Sequence, residues 1–160
     1  LLHVTRLCAE ELFPVCSPKL ARGRGALRSP RDLKRHTLLH ANDAGEWDKW
    51  LKLAGVDDVD VKRGTVFNQA SMAIDAAVDG QGVALARTAL AAWDLLSGRL
   101  VRPFPQVLEA PYALWIVCPT SVAELPKIAT FRSWLLKEAA DDTRRLAELG
   151  EGATTRAARH

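Results

Sequence analysis

Phe67-Asn68-Gln69-Ala70-Ser71 stands where an apolar run, Thr65-Val66-Phe67, gives way to a helical pattern that begins at Ala70. A helix starting there leaves its first backbone N–H groups without intrahelical partners, and the positive end of its dipole faces the same way. Carboxylates and other anions are favoured at such a point, and Asn68, Gln69 and Ser71 would add side-chain donors. The same residue types are ordinary caps of a helix start, so anion binding and plain capping both fit the spacing.

The remaining inventory for chemistry is thin. His3, His36, His40 and His160 show no spacing to a nucleophile or a metal that a mechanism would use. Cys8, Cys16 and Cys118 are odd in number and form no CxxC or Cys/His pattern, which argues against a disulfide framework or a zinc site and fits a reducing cytosol. Cys16 as a hydrolytic nucleophile is the one enzymatic reading available, set against the commoner state of a buried, inert thiol. Gly80 and Gly82 follow a helix instead of preceding one, so they read as a tight turn and not as a phosphate loop. No catalytic residue, metal ligand or cofactor is expected.

The hydrophobic fraction is 48% and the net charge is +3, enough apolar material for a packed core with acids and bases interspersed. One local excess stands out: Lys19, Arg22, Arg24, Arg28, Arg31, Lys34 and Arg35, opposed only by Asp32. A solvated loop and a phosphate-contacting surface both fit it. No apolar run reaches the roughly 18 residues of a membrane helix, and the start lacks both the methionine and the signal-peptide pattern, as though the beginning were cut off.

The elements that would position these residues alternate. Leu12–Cys16 reads as a short buried strand ended by Ser17-Pro18. Ser29-Pro30 starts a helix with Asp32 in its first turn, Thr37–His40 is a strand, and Asp43–Ala54 is a helix with Trp47, Trp50, Leu51 and Ala54 on one stripe. Thr65–Phe67 is a strand, Ala70–Val78 a helix, Val83–Ala86 a buried strand, Thr88–Ser97 a helix, and Leu100-Val101 and Ala113–Cys118 strands. Pro126–Ala139 is an amphipathic helix carrying Ile128, Phe131, Trp134 and Leu135. This alternation predicts an α/β fold with a mainly parallel sheet.

Five segments in one order then form a pattern. The run from Glu10 to Pro18, EELFPVCSP, comes first; Ser29-Pro30-Arg31-Asp32-Leu33 with His36-Thr37-Leu38-Leu39 follows. Trp47-Asp48-Lys49-Trp50-Leu51, Phe67 through Leu85, and Gly98-Arg99-Leu100-Val101-Arg102-Pro103-Phe104 complete it. Together they resemble the effector-binding domain of LysR-type bacterial transcription regulators, over about Leu7 to Ala139, and most of all the branch with the glycine-cleavage activator and the β-lactamase-induction regulator. The resemblance implies a type II periplasmic-binding-protein fold, with one complete subdomain and part of a second. Residues 14–111 would form subdomain II, and residues 1–13 and 112–139 the hinge strands and the remainder of subdomain I. Composition alone reads residues 140–160 as a disordered tail, with the stretch from Asp141 able to extend the last helix before fraying through Gly150 and Gly152.

The resemblance further implies a cytoplasmic sensor of a small-molecule effector, with ligand contacts at Pro14, Phe67, Asn68, Gln69, Ser71 and Tyr112. Tyr112 could offer its hydroxyl to a ligand or be a packed hinge residue. Some relatives carry paired serines where this chain has Gln69 and Ala70. The partners implied are an effector, further copies in a dimer or tetramer, and promoter DNA through an absent N-terminal domain alone, with no membrane. A free solute receptor of the same fold is the alternative. Helix Pro126–Ala139 would expose apolar surface and favour self-association.

Overall fold

A computed structural model describes residues 1–42 and 45–157. The chain divides into two compact units, one formed by residues 11–109 and the other by residues 1–10 with residues 110–160.

The first of these is an α/β layer. Strands β2 (Leu38–Ala41) and β3 (Gly64–Phe67) run parallel, joined through helix α2 (Gly45–Leu53). Strand β4 (Val83–Arg87) lies parallel to β2 on its other side and follows β3 through helix α3 (Ala70–Val78). The end of strand β1 (Leu2–Val15) closes the layer antiparallel to β4, with Phe13 opposite Ala86 and Val15 opposite Ala84. Helix α4 (Thr88–Leu96) follows β4 directly. Parallel strands need crossover helices on the sheet faces, and burial on both faces explains why Val83-Ala84-Leu85-Ala86 is apolar without alternation.

The core of this unit is built on the tryptophan stripe. Trp47 and Trp50 are fully buried, edge to face at 5.9 Å, and Phe104 lies 5.8 Å beyond Trp50. Buried indoles need acceptors: Trp47 donates to the Leu39 carbonyl (3.2 Å) and Trp50 to that of Gln106 (3.2 Å). The packing reading of this pair is what the structure shows. Its start at Asp43 lies outside the described residues.

Several boundaries differ from the sequence reading. Leu12–Val15 is the buried end of a 14-residue strand, and Cys16 follows it. The earlier residues alternate, but with Leu2 and Val4 exposed, so they lacked the signature of a strand with its apolar face covered. Leu100-Val101 contributes a single antiparallel bridge, Val101 to Cys16, in place of a strand. The Ser29-Pro30 start is confirmed as a capped turn, but the turn is a 3-10 helix (Pro30–Arg35).

In the other unit, strand β5 (Leu108–Pro119) leads into helix α5 (Pro126–Ala157). The helix does not stop at Ala139. Its continuation is rich in Ala, Arg, Glu and Leu, which are strong helix formers, and Asp141–Arg144 and Asp142–Arg145 pair at i, i+3. The apolar stripe of α5 splits: Ile128 and Leu135 are half-buried, whereas Phe131 and Trp134 stack at 5.6 Å on an exposed face.

Candidate functional site

Four of the six candidate ligand residues come together at the junction of β3 and α3, the carboxyl end of a parallel strand. In open α/β sheets that is the edge where ligands sit. Phe67 ends the strand half-buried, and Asn68, Gln69 and Ser71 are exposed beside the first turn of the helix.

The cap of α3 bears on the capping reading. Gln69 is the N-cap residue, with extended backbone (φ −139°, ψ 139°), and no side chain caps the helix. Asn68 precedes the cap and Ser71 lies inside the helix, so neither residue occupies the position from which a short side chain reaches back to the N2 or N3 amide. The leading N–H groups of α3 are therefore uncapped by side chains, with three polar side chains around them.

Asn42 is a neighbour that sequence reasoning missed. It follows β2 with φ of 68°, the left-handed region, and its N–H donates to the Phe67 carbonyl at 2.8 Å. Asparagine tolerates this conformation better than other side chains do, because its short amide bonds locally. The bond ties the end of β2 to the end of β3 and fixes the approach to Asn68. An asparagine directly after an apolar strand was the only signal available.

The other two candidates are placed differently. Pro14 is buried in the β1–β4 ladder opposite Leu85. Tyr112 lies on β5, in the other unit, and is part-exposed. Two surface depressions of about 350 and 400 Å³ in the unit of residues 11–109 lie elsewhere, and neither is lined by residues of the β3–α3 junction.

The enzymatic reading loses its nucleophile. Cys16 is fully buried, its backbone bridged to Val101, and burial pushes its thiol up to about 12. All three cysteines are free. His36 Nε2 donates to the Gly25 carbonyl at 2.8 Å, and His40 is buried within β2, so both have structural positions. Among the described residues, no group of three or more His, Cys, Asp or Glu is gathered for a metal ion, and no helix is long and apolar enough to cross a membrane.

An α/β layer with an open helix N-terminus at the carboxyl end of a parallel strand is a feature of folds that bind small molecules at that edge. Comparison with known proteins names the class. The family model of the LysR substrate binding domain matches residues 1–140. The chain is 45% identical over 139 residues to the glycine cleavage system transcriptional activator of Escherichia coli (strain K12), covering 87% of this chain and 46% of that protein. It is 37% identical over 135 residues to the HTH-type transcriptional activator AmpR of Pseudomonas aeruginosa, covering 83% and 44%. The solved effector domain of that AmpR superposes with a TM-score of 0.69 at 34% identity, over 92% of this chain and 70% of that one. The chain belongs to the LysR substrate binding domain family, and its fold is the α/β, type II periplasmic-binding-protein-like fold of that family's effector domains. It spans about half the length of the curated relatives it matches, and those relatives are transcription regulators, not enzymes.

Proposed function

We propose that this chain is the effector-sensing part of a cytoplasmic transcription regulator, and that it recognises a small anionic molecule at the β3–α3 junction. The observation that carries this reading is the start of α3, where amides without a side-chain cap stand beside exposed Asn68, Gln69 and Ser71. A carboxylate there would accept from the helix amides and from those side chains at once, and the helix dipole adds to the attraction. Phe67 supplies an apolar floor. Asn42, tied to the Phe67 carbonyl, holds the neighbouring strand end in place.

In the whole regulator, effector binding has to favour one arrangement of the assembly over another, and couplings of this kind are typically about 1–3 kcal/mol. A dimer or tetramer contacting promoter DNA through a separate domain is the assembly we infer. Its support is the naming of the relatives as transcriptional activators, together with the exposed apolar face at Phe131 and Trp134. The subdomain division expected from the resemblance, with residues 14–111 as one subdomain, belongs to the same proposal.

The test is a thermal-shift screen across amino acids and cell-wall fragments, followed by titration of the best ligand against Asn68→Ala, Ser71→Ala and Tyr112→Phe. Loss of an amide or hydroxyl donor to an anion should weaken binding by roughly tenfold. Undiminished binding in Asn68→Ala and Ser71→Ala would remove the junction as the site. Tyr112→Phe decides independently whether the β5 residue contributes. The alternative of a free solute receptor is separated by the upstream sequence, a helix-turn-helix for the regulator against an export signal for the receptor.

A further inference from the structure

A second, unrelated feature lies between Gly23 and Arg35, in the stretch where the cations gather. Arg24, Arg28 and Arg35 line one open depression of about 400 Å³, together with Gly23, Gly25 and Asp32. We propose that this depression binds a phosphate group.

The loop that carries it is built, not loose. Leu27 and Leu33 are buried beneath it, His36 Nε2–H holds the Gly25 carbonyl, and the Ala26 N–H donates to Gly23 at 3.2 Å. The one acid present is already engaged. Asp32 accepts the Ser29 N–H (2.9 Å) and the Arg28 N–H (3.1 Å), and it pairs with Arg35. Its charge therefore closes the capping box and neutralises Arg35, leaving the Arg24 and Arg28 guanidinium groups with no carboxylate partner among the described residues.

Elsewhere several arginines are paired, although Arg6, Arg63 and Arg102 have no ion pair among the described residues. Arg87, Arg99, Arg132, Arg144 and Arg145 each meet a carboxylate. Within this stretch only Arg35 does; Arg31 inside it and Arg22 just before it are exposed and unpaired among the described residues. Guanidinium groups crowded without counter-charges raise the local potential, and their planar forks match phosphate oxygens two at a time. The depression is shallow and open, which suits a phosphate held at the surface. Such a group can arrive on a free phosphorylated molecule or in a nucleic-acid backbone. The chemistry of capture is the same, and the probes separate the sources.

The experiment compares the chain with Arg24→Gln/Arg28→Gln and with Arg144→Gln/Arg145→Gln, which removes equal charge from α5. Sodium pyrophosphate, at ionic strength matched with sodium chloride, should raise the melting temperature of the chain and of the α5 variant but not of the Arg24/Arg28 variant. In fluorescence anisotropy at low salt, a duplex of about 20 base pairs and arbitrary sequence is the second probe, where each lost phosphate contact lowers the slope of log K against log salt by about 0.9. A response to pyrophosphate alone assigns the site to a free phosphorylated ligand. A duplex response that falls by about 1.8 in slope in the Arg24/Arg28 variant assigns it to the backbone. Circular dichroism checks that the variants fold. Arg24→Gln alone, at a side chain with no partner to lose, serves as the milder second variant. Silence from both probes, or equal responses in the chain and the Arg24/Arg28 variant, overturns the proposal.

Discussion

Cys16 and Val101 exchange both of their backbone hydrogen bonds, Cys16 N–H to the Val101 carbonyl at 3.1 Å and Val101 N–H to the Cys16 carbonyl at 2.9 Å. This single bridge pins the segment after α4 against the end of β1 and seals the Cys16 side chain inside. A thiol so buried has no water to stabilise its anion, which is why its pKa rises.

The first prediction follows from that seal. At pH 8 the thiolate fraction of Cys16 is on the order of one in ten thousand. A thiol-reactive chromophore added to the folded chain should label Cys118 and, more slowly, Cys8, whose thiol is also raised by partial burial and by Glu10. Cys16 should react only after denaturant is added. Mass spectrometry of the labelled peptides reads this directly, and prompt labelling of Cys16 under native conditions would contradict the structure.

Asp32 carries the second prediction. The Ser29 amide first, then the Arg28 amide, the Arg35 guanidinium and the Ser29 hydroxyl hold its carboxyl below the ordinary value of 3.8. A folded-state pKa below the unfolded one contributes stability that is present above the unfolded value and is lost as pH falls through the folded one. The chain should therefore lose stability on acidification below about pH 4, and Asp32→Asn should be less stable at pH 7 with a flatter acid limb. Urea unfolding at pH 7, 4 and 3 checks both parts. Parallel acid limbs in the two proteins would show that Asp32 is not a source of the loss.

Glycines that look alike in the sequence do different work, and Gly80 and Gly82 give the third prediction. Gly80 has φ of 79° and ends α3, the left-handed stop that the sequence reading assigned to the turn. Gly82 has ordinary backbone, but a Cβ there would lie 2.3 Å from the Thr37 carbonyl oxygen and 3.1 Å from Leu39 Cγ. Gly82→Ala should thus cost about 2–3 kcal/mol by forcing β2 and β4 apart, more than an exposed glycine substitution does. Chemical denaturation measures it, and a loss below about 0.5 kcal/mol would mean the strands yield.

These cases show where the sequence was legible. Helix α3 and strand β4 were read with their starts correct, since a buried parallel strand and an alanine-rich helix each leave a periodic mark. The Trp47–Trp50 stripe announced its packing for the same reason. What stayed hidden depends on partners distant in the chain. The Cys16–Val101 bridge has no local signature, the exposed pattern of Leu2 and Val4 disguised most of β1, and the composition of α5 beyond Ala139 resembles a solvated tail as much as a helix. The candidate site was partly visible. Asn68, Gln69 and Ser71 follow from local chain geometry, whereas the burial of Pro14 follows from its pairing with β4, which no spacing reveals.

The last prediction sets stability against recognition at Gln69. Glutamine is not among the preferred N-cap residues, and here it makes no cap hydrogen bond. Gln69→Asp would place a short carboxylate where it can accept from the N2 and N3 amides and meet the positive end of the helix dipole. The variant should gain about 0.5–1.5 kcal/mol of stability. That same carboxylate would occupy the donors an anionic effector needs and repel its charge, so effector binding should fall by at least about tenfold. Gln69→Ala separates the two effects, because it leaves the amides open and adds no charge; it should gain no stability and lose only the roughly tenfold in binding expected for one side-chain donor, less than Gln69→Asp. Differential scanning calorimetry with and without the effector reads both quantities on one sample. A Gln69→Asp variant that is more stable yet still binds as before would show that the helix start is open for reasons other than the ligand.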